Sequence, residues 1–157
     1  MKIVLLSIGK TDDSYIQEGI SKYCKRLSHY VPFELQVIPD LKNRKKLSKE
    51  QQKEKEGELI LSKIQHTDSA VLLDEKGKSF SSLKFSAQIN QYMLSGCKRL
   101  VFIIGGPYGF SPEVYQKVPK KISLSAMTFS HQMVRLFMVE QVYRAMTILK
   151  NEPYHHE

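Results

Sequence analysis

The chain has 157 residues, of which 41% are hydrophobic, enough for one domain with a real core and too few for two. Its 24 Lys and Arg against 16 Asp and Glu leave a formal charge of +8, which suits an acidic partner, nucleic acid being the commonest. No run approaches the ~20 apolar residues of a membrane span, and MKIVLLSIGK is too short and polar-ended for a signal peptide, so a soluble cytoplasmic protein is expected. Cys24 and Cys97 form no CxxC or Cys/His cluster, so neither a metal site nor a disulfide framework is predicted.

Residues 3 to 8 (IVLLSI) form a near-continuous apolar run of strand length, the pattern of a strand covered on both faces of a parallel sheet. Ile16, Ile20, Tyr23, Cys24 and Leu27 then recur at helical spacing, and segment 33 to 38 (FELQVI) reads as a second strand. The stretch 42 to 58, KNRKKLSKEQQKEKEGE, is the most charged in the chain and reads as a solvated helix face with offsetting Lys and Glu. Only Lys42, Arg44, Lys45 and Lys46 form a block of one sign; they are the first candidates for phosphate contacts if RNA is a partner. Residues 70 to 73 (AVLL) read as a third strand, Phe85, Ile89, Tyr92 and Met93 mark another helix, and 100 to 104 (LVFII) read as a fourth strand. Strand and helix in turn predict an α/β fold, a mostly parallel sheet with flanking helices, in a single domain spanning residues 1 to 157.

The fourth strand runs into glycines: residues 102 to 110 are FIIGGPYGF. No GK[ST] follows, which excludes a Walker loop, and the adjacent Gly105 and Gly106 do not make GxGxxG. A Rossmann fingerprint belongs after the first strand, which ends in Ser7-Ile8-Gly9-Lys10 with a single glycine. Ser111-Pro112-Glu113 reads as an N-cap with proline in the first turn, so the unit is strand, glycine loop, helix start, able to present main-chain N–H groups to a ligand. A tight turn alone accounts for it equally well. Residues 122 to 131, ISLSAMTFSH, are rich in small hydroxyl side chains and open into the helical run QMVRLFMVEQVYRAMTILKN. Small residues at Ser123, Ser125 and Ala126 let a flat ligand reach the backbone, and an edge strand with small packing residues has the same composition. The helical run is apolar nearly all round, which requires a central seat or a second subunit.

Taken together, GGPYGF, ISLSAMTFSHQMVR, EQVYRA and the closing PYHHE resemble the bacterial RlmH family, SPOUT-class methyltransferases that methylate N3 of a pseudouridine in 23S ribosomal RNA. The resemblance covers the whole chain, from KIVLLSIGK to the last residue. It implies a SPOUT-type fold whose C-terminal third is threaded into a trefoil knot, a rare exception to ordinary chain topology. It also implies S-adenosyl-L-methionine as cofactor, wrapped by the knot loops, with the glycines leaving room for it against main chain. Carried over by motif, the cofactor positions are Leu73, Gly105, Ile122, Ser123, Leu124, Ser125, Ala126 and Met127.

The resemblance further implies action on the assembled ribosome by a homodimer with cofactor sites near the interface, and it leaves open whether the tail completes a site in its own subunit or across that interface. No metal is called for, because a sulfonium is already a good leaving group; the acceptor must be aligned and must lose its proton. Arg144 and the tail Tyr154-His155-His156-Glu157 are the groups available. His155 is the base or base-orienting group, Tyr154 a substrate-positioning residue, Arg144 a phosphate or tail anchor, and His156 a further member of the catalytic set. Two positions depart from the family pattern. His156 stands where Arg or Lys is common, making a permanent charge conditional, and Ser130 stands where proline is frequent and can cap the last helix instead. Two competing readings stay open: the same fold acting on a transfer RNA base, and a noncatalytic ribosome-binding factor. The retained Gly105, the small residues at 123 to 126 and His155 argue against the second, while His131 is ambiguous between an ordinary first-turn histidine and a catalytic one.

Overall fold

The computed structural model describes residues 1–156. Strands β1 (Lys2–Ile8), β2 (Phe33–Ile38), β3 (Ser69–Ser79), β4 (Arg99–Ile104) and β5 (Lys121–Ser123) form a five-stranded parallel sheet in the order β2-β1-β4-β3-β5. Alternation along β1 and β4 sends Ile3, Leu5, Leu100, Phe102 and Ile104 to one core and Val4, Leu6, Ile8, Val101 and Ile103 to the other. Both faces are apolar because both are covered. Helices α1 (Ser14–Leu27), α3 (Ser82–Leu94) and α5 (Met133–Leu149) cover the first face, and α2 (Lys49–Ser62) and α4 (Pro112–Lys117) the second. The predicted α/β architecture, a parallel sheet with flanking helices, is the one the chain adopts.

Local chemistry starts the helices where the sequence places them. Ser48 and Gln51 close a capping box on α2, and Ser111 accepts from the Val114 N–H with Pro112 at the first turn of α4. Before α5, the Met133 N–H donates to Ser130 Oγ at 3.2 Å, so Ser130 does cap this helix. Its buried residues Met138, Val139, Val142, Ala145 and Met146 belong to the same core as α1 and α3, which gives α5 the central seat that its apolar circumference requires. Its first turn is tied to the loop after β1: the fully buried Arg135 donates from Nη2 to the Ile8 carbonyl at 2.7 Å and from Nη1 to Thr11 Oγ1 at 2.9 Å.

Two expectations are corrected. The strand expected at 70–73 runs on to Ser79, with a register break between Leu73 and Lys78, both of which pair with Ile122. A Cβ on Gly77 would stand 2.4 Å from the Ile122 carbonyl carbon, so the two main chains touch there. The continuation, Asp74 to Ser79, is polar and therefore carries no apolar signal. The charged stretch is not simply a solvated face: α2 buries Gln52 and Glu56, while Lys42, Arg44, Lys45 and Lys46 lie exposed around a single 3-10 turn, with Arg44 paired to Asp40 at 3.0 Å. Among the described residues no helix is long and apolar enough to cross a membrane, and no group of three or more His, Cys, Asp or Glu is placed to hold a metal.

Candidate active site

In open parallel sheets, ligands bind beyond the carboxyl ends of the strands. There, β3, β4 and β5 end around a cavity of about 700 Å³, the size of a small-molecule site. The irregular stretch of β3 from Leu73 to Lys76 and the loops after β4 and β5 wall it, and Ser130, His131 and Val134 close it at the start of α5. Of the cofactor positions expected from the sequence, Leu73, Gly105, Ser123, Leu124, Ser125 and Met127 line this one cavity. Ile122 does not; it is buried under the irregular stretch of β3 and faces adjoining hollows beside α3. Ala126 is exposed and outside the lining.

The glycines line the cavity, and two of them are also crowded from behind. A Cβ on Gly105 would stand 3.1 Å from the Phe110 ring, and one on Gly106 only 2.2 Å from Glu56 Oε2. Their missing side chains make room for protein behind the loop, which leaves the loop a wall one main chain thick. Gly109 has φ +79° with open space around its missing Cβ, and its N–H donates to the Gly106 carbonyl at 3.1 Å, so it serves the turn itself. The small hydroxyls likewise knit their own loop. Ser123 Oγ donates to the Ser125 carbonyl at 2.9 Å, and the Met127 N–H donates to Ser125 Oγ at 2.9 Å. The hydroxyls of Ser123 and Ser125 are thus spent on the loop itself, while Tyr108, Met127 and Phe129 stand exposed on the rim.

Around this rim, Tyr115 donates its phenol proton to Asp74, and burial followed by that carboxylate pushes the phenol well above its ordinary range, so it remains a donor. Lys53 of α2 lines the cavity, and Lys49 Nζ lies 5.5 Å from the Tyr108 ring centroid. Behind Gly106, the Glu56 carboxyl is pushed above the carboxylate range by burial; the Gln52 hydrogen bond opposes this and Asp40 reinforces it. Neither Glu56 nor Gln52 is a site residue the sequence suggests. The available signal is Gly57 inside a helix: a Cβ there would lie 2.4 Å from Ser111 Oγ, the mark of a close approach by the element carrying the glycine loop.

The tail assembles a second group. Arg144 Nη2 pairs with Glu140 Oε1 at 2.5 Å, its guanidinium lies 4.7 Å from the Tyr154 ring centroid, and Tyr154 Oη donates to Glu140 Oε1 at 2.9 Å. Burial, then hydrogen bonds to Tyr23 and Glu140, push the Tyr154 phenol well above its ordinary range, which keeps it a neutral donor. Arg144 Nη1 lies 3.3 Å from His155 Nδ1; a guanidinium only donates, so a hydrogen bond between them needs Nδ1 as the acceptor. His156 is exposed, and Glu157 lies outside the described residues. Neither Arg144 nor any of Tyr154, His155 and His156 lines the cavity. Val134 at the cavity and Arg144 at the tail are ten residues apart on α5, roughly 15 Å of helix rise. Cavity-side and tail-side residues thus form two separate clusters.

A family model described as Predicted SPOUT methyltransferase matches residues 1–155. The chain belongs to the SPOUT methyltransferase family. Proteins named Ribosomal RNA large subunit methyltransferase H are 64% identical to this SPOUT methyltransferase in Flavobacterium psychrophilum, 63% in Parabacteroides distasonis and 55% in Bacteroides thetaiotaomicron, each aligned over the full length of both chains. A solved structure, of a probable methylase family protein from Haemophilus influenzae Rd KW20, superposes with TM-score 0.52 at 12% identity, over 99% of this chain and 70% of that one. That likeness concerns the fold alone.

Proposed function

We propose that this SPOUT methyltransferase transfers the methyl group of S-adenosyl-L-methionine to N3 of a pseudouridine in 23S ribosomal RNA, acting in the cytoplasm on the assembled ribosome as a homodimer. The observation that carries this reading is full-length identity of 55% to 64% to relatives named Ribosomal RNA large subunit methyltransferase H. The cavity fits the cofactor chemically: a rim of main chain with tyrosine and phenylalanine rings suits a nucleoside, and no side chain of the rim has to change partners to admit one. Leu73, Gly105 and residues 122 to 127 would hold it through backbone groups, Ile122 and Ala126 by shaping the loop. The family's trefoil knot belongs to the same reading. When bound, the sulfonium supplies an activated methyl group.

The remaining work is orientation of the acceptor and removal of its proton. His155 and Tyr154 are assigned to it, anchored by Arg144, with the exposed His156 reaching for RNA. Their distance from the cavity of their own subunit supports delivery of the tail to the cavity of a second copy. The half-buried Leu136 and Phe137 and the exposed Phe129, beside the cavity, are the apolar surface such a dimer would cover. His131, inside the cavity lining, is a second group able to take a proton in place.

The test is transfer of labelled methyl from S-adenosylmethionine to assembled ribosomes, with isolated large subunits, protein-free rRNA and bulk transfer RNA as parallel acceptors. Label confined to assembled ribosomes and mapped to a pseudouridine is expected. Label in transfer RNA would move the acceptor, and cofactor binding without transfer to any RNA would favour a noncatalytic binding factor.

A further inference from the structure

The glycine loop is backed by a carboxyl group in an unusual state. Glu56 is 3% exposed, its Oε1 accepts from Gln52 Nε2 at 2.8 Å, and its Oε2 has no hydrogen-bond partner among the described residues. The three atoms nearest to a Cβ on Gly106 would all be its own, Oε2 at 2.2 Å, Cδ at 2.7 Å and Oε1 at 2.8 Å. The carboxyl therefore occupies the place a side chain of residue 106 would take. A buried oxygen without a partner is costly, and an apolar side chain would fill the same space without that cost. Its presence directly behind the cavity wall asks for a role at the wall.

We propose that Glu56 is a positioning residue for the methyl-donor site: its buried carboxyl sets where the Gly105-Gly106 main chain stands and, through that main chain, how tightly the cavity closes on the cofactor. This rests on the reading of the cavity as the S-adenosylmethionine site. The groups around the carboxyl are Gln52 on its own helix, Asp40 after β2, Arg44 in the 3-10 turn and the Gly106 backbone. Burial and Asp40 favour the neutral acid, against Gln52 and Arg44. An ionised Oε2 would be an unpartnered charge pressed against the loop, and it would draw away toward water. Cofactor affinity should therefore fall as pH rises through the raised pKa of Glu56. Glu56→Gln keeps the shape and the Gln52 contact while removing the ionisation.

Calorimetric titration of S-adenosylmethionine into the full-length protein, at a series of pH values from the ordinary glutamate value of 4.5 up to about pH 9, tests this. Variants are Glu56→Gln, Glu56→Ala, Gly106→Ala and the Glu56→Ala/Gly106→Ala pair, each checked for folding by thermal unfolding. Glu56→Gln should match wild type at the acid end and hold its affinity at the alkaline end, where wild type weakens relative to it by at least about threefold. Gly106→Ala should weaken binding roughly tenfold by displacing the carboxyl, and Glu56→Ala should restore part of that loss. If Glu56→Gln tracks wild type at every pH, and the Glu56 and Gly106 costs simply add, the proposal is overturned; should Glu56→Ala not fold, the Glu56→Gln profile alone decides. Wild type that is folded and fails to bind S-adenosylmethionine would overturn the cavity reading itself, a result distinct from normal wild-type binding with silent variants.

Discussion

The cavity beside β3, β4 and β5 and the tail cluster on α5 are built from opposite materials. The cavity wall is main chain, held by glycines that admit Phe110 and Glu56 behind it and by serines that bond their own loop. The tail cluster is side chain throughout: Arg144, Glu140, Tyr23, Tyr154 and His155 recognise one another by charge, ring and hydroxyl. Main-chain walls depend on space and register, so distant packing changes should reach them while many surface substitutions pass unnoticed. Side-chain clusters depend on identity, and single atoms should count. If the cavity binds the donor and the tail handles the acceptor, as proposed, the two tasks are separable in this SPOUT methyltransferase.

The largest expected effect tests that separation directly. His155→Ala should lower kcat on ribosomes by about a hundredfold, the scale of lost proton-transfer assistance, while the Kd for S-adenosylmethionine stays within about twofold. Equal loss of both would merge the two regions. Next comes Gly77→Ala, far from any reacting atom. Its Cβ would meet Ile122 backbone at 2.4 Å, which cannot yield as a flexible side chain does. We expect a loss of about 1–3 kcal/mol in urea-unfolding stability, with weaker cofactor binding because Ile122 leads directly into the Ser123 wall. Smaller again is Ser125→Ala, which removes the acceptor for the Met127 N–H at 2.9 Å. About 1 kcal/mol, read as a roughly fivefold rise in cofactor Kd, is expected, whereas Met127→Leu should bind within about twofold because only its backbone is bonded to the loop.

The parts legible in the sequence are those where one residue type has one physical use. Runs such as IVLLSI and LVFII could only be strands covered on both faces, and Ser111-Pro112 starts α4 as its chemistry dictates. The glycine loop was visible as a place, whereas the crowding behind it was not, since the sequence does not say which side of a glycine is packed against protein. Glu56 and Gln52 read as solvated because burial of a polar side chain depends on what packs over it, here a loop fifty residues later in the chain. The second half of β3 was hidden for a related reason: its polar residues pair with only two residues of β5, Ile122 and Ser123, at the sheet edge, where no apolar face is required. Resemblance supplied the tail residues as a set, and only the fold places them a helix length from the cavity.

The smallest predicted effect is also the most sensitive to how the tail is held. Tyr154→Phe removes a hydroxyl bonded to Glu140 Oε1 and to Tyr23, yet Glu140 keeps Arg144 on Oε1 and Gln141 on Oε2. No acceptor is left without a partner, so the expected cost is only about 0.5–1 kcal/mol. Its pH dependence identifies the bond. The Tyr154 pKa is raised above the ordinary 10.0 of the unfolded chain, so above pH 10.0 the native state keeps a proton that the unfolded chain releases. The contribution is therefore complete below that value and falls as pH climbs beyond it. Urea midpoints of wild type and Tyr154→Phe should differ by a constant amount from about pH 6 to about pH 9 and converge in more alkaline solution. A gap that stays constant well above pH 10.0 would mean that the phenol proton does not hold the tail, and would leave the anchoring to the Arg144–Glu140 pair.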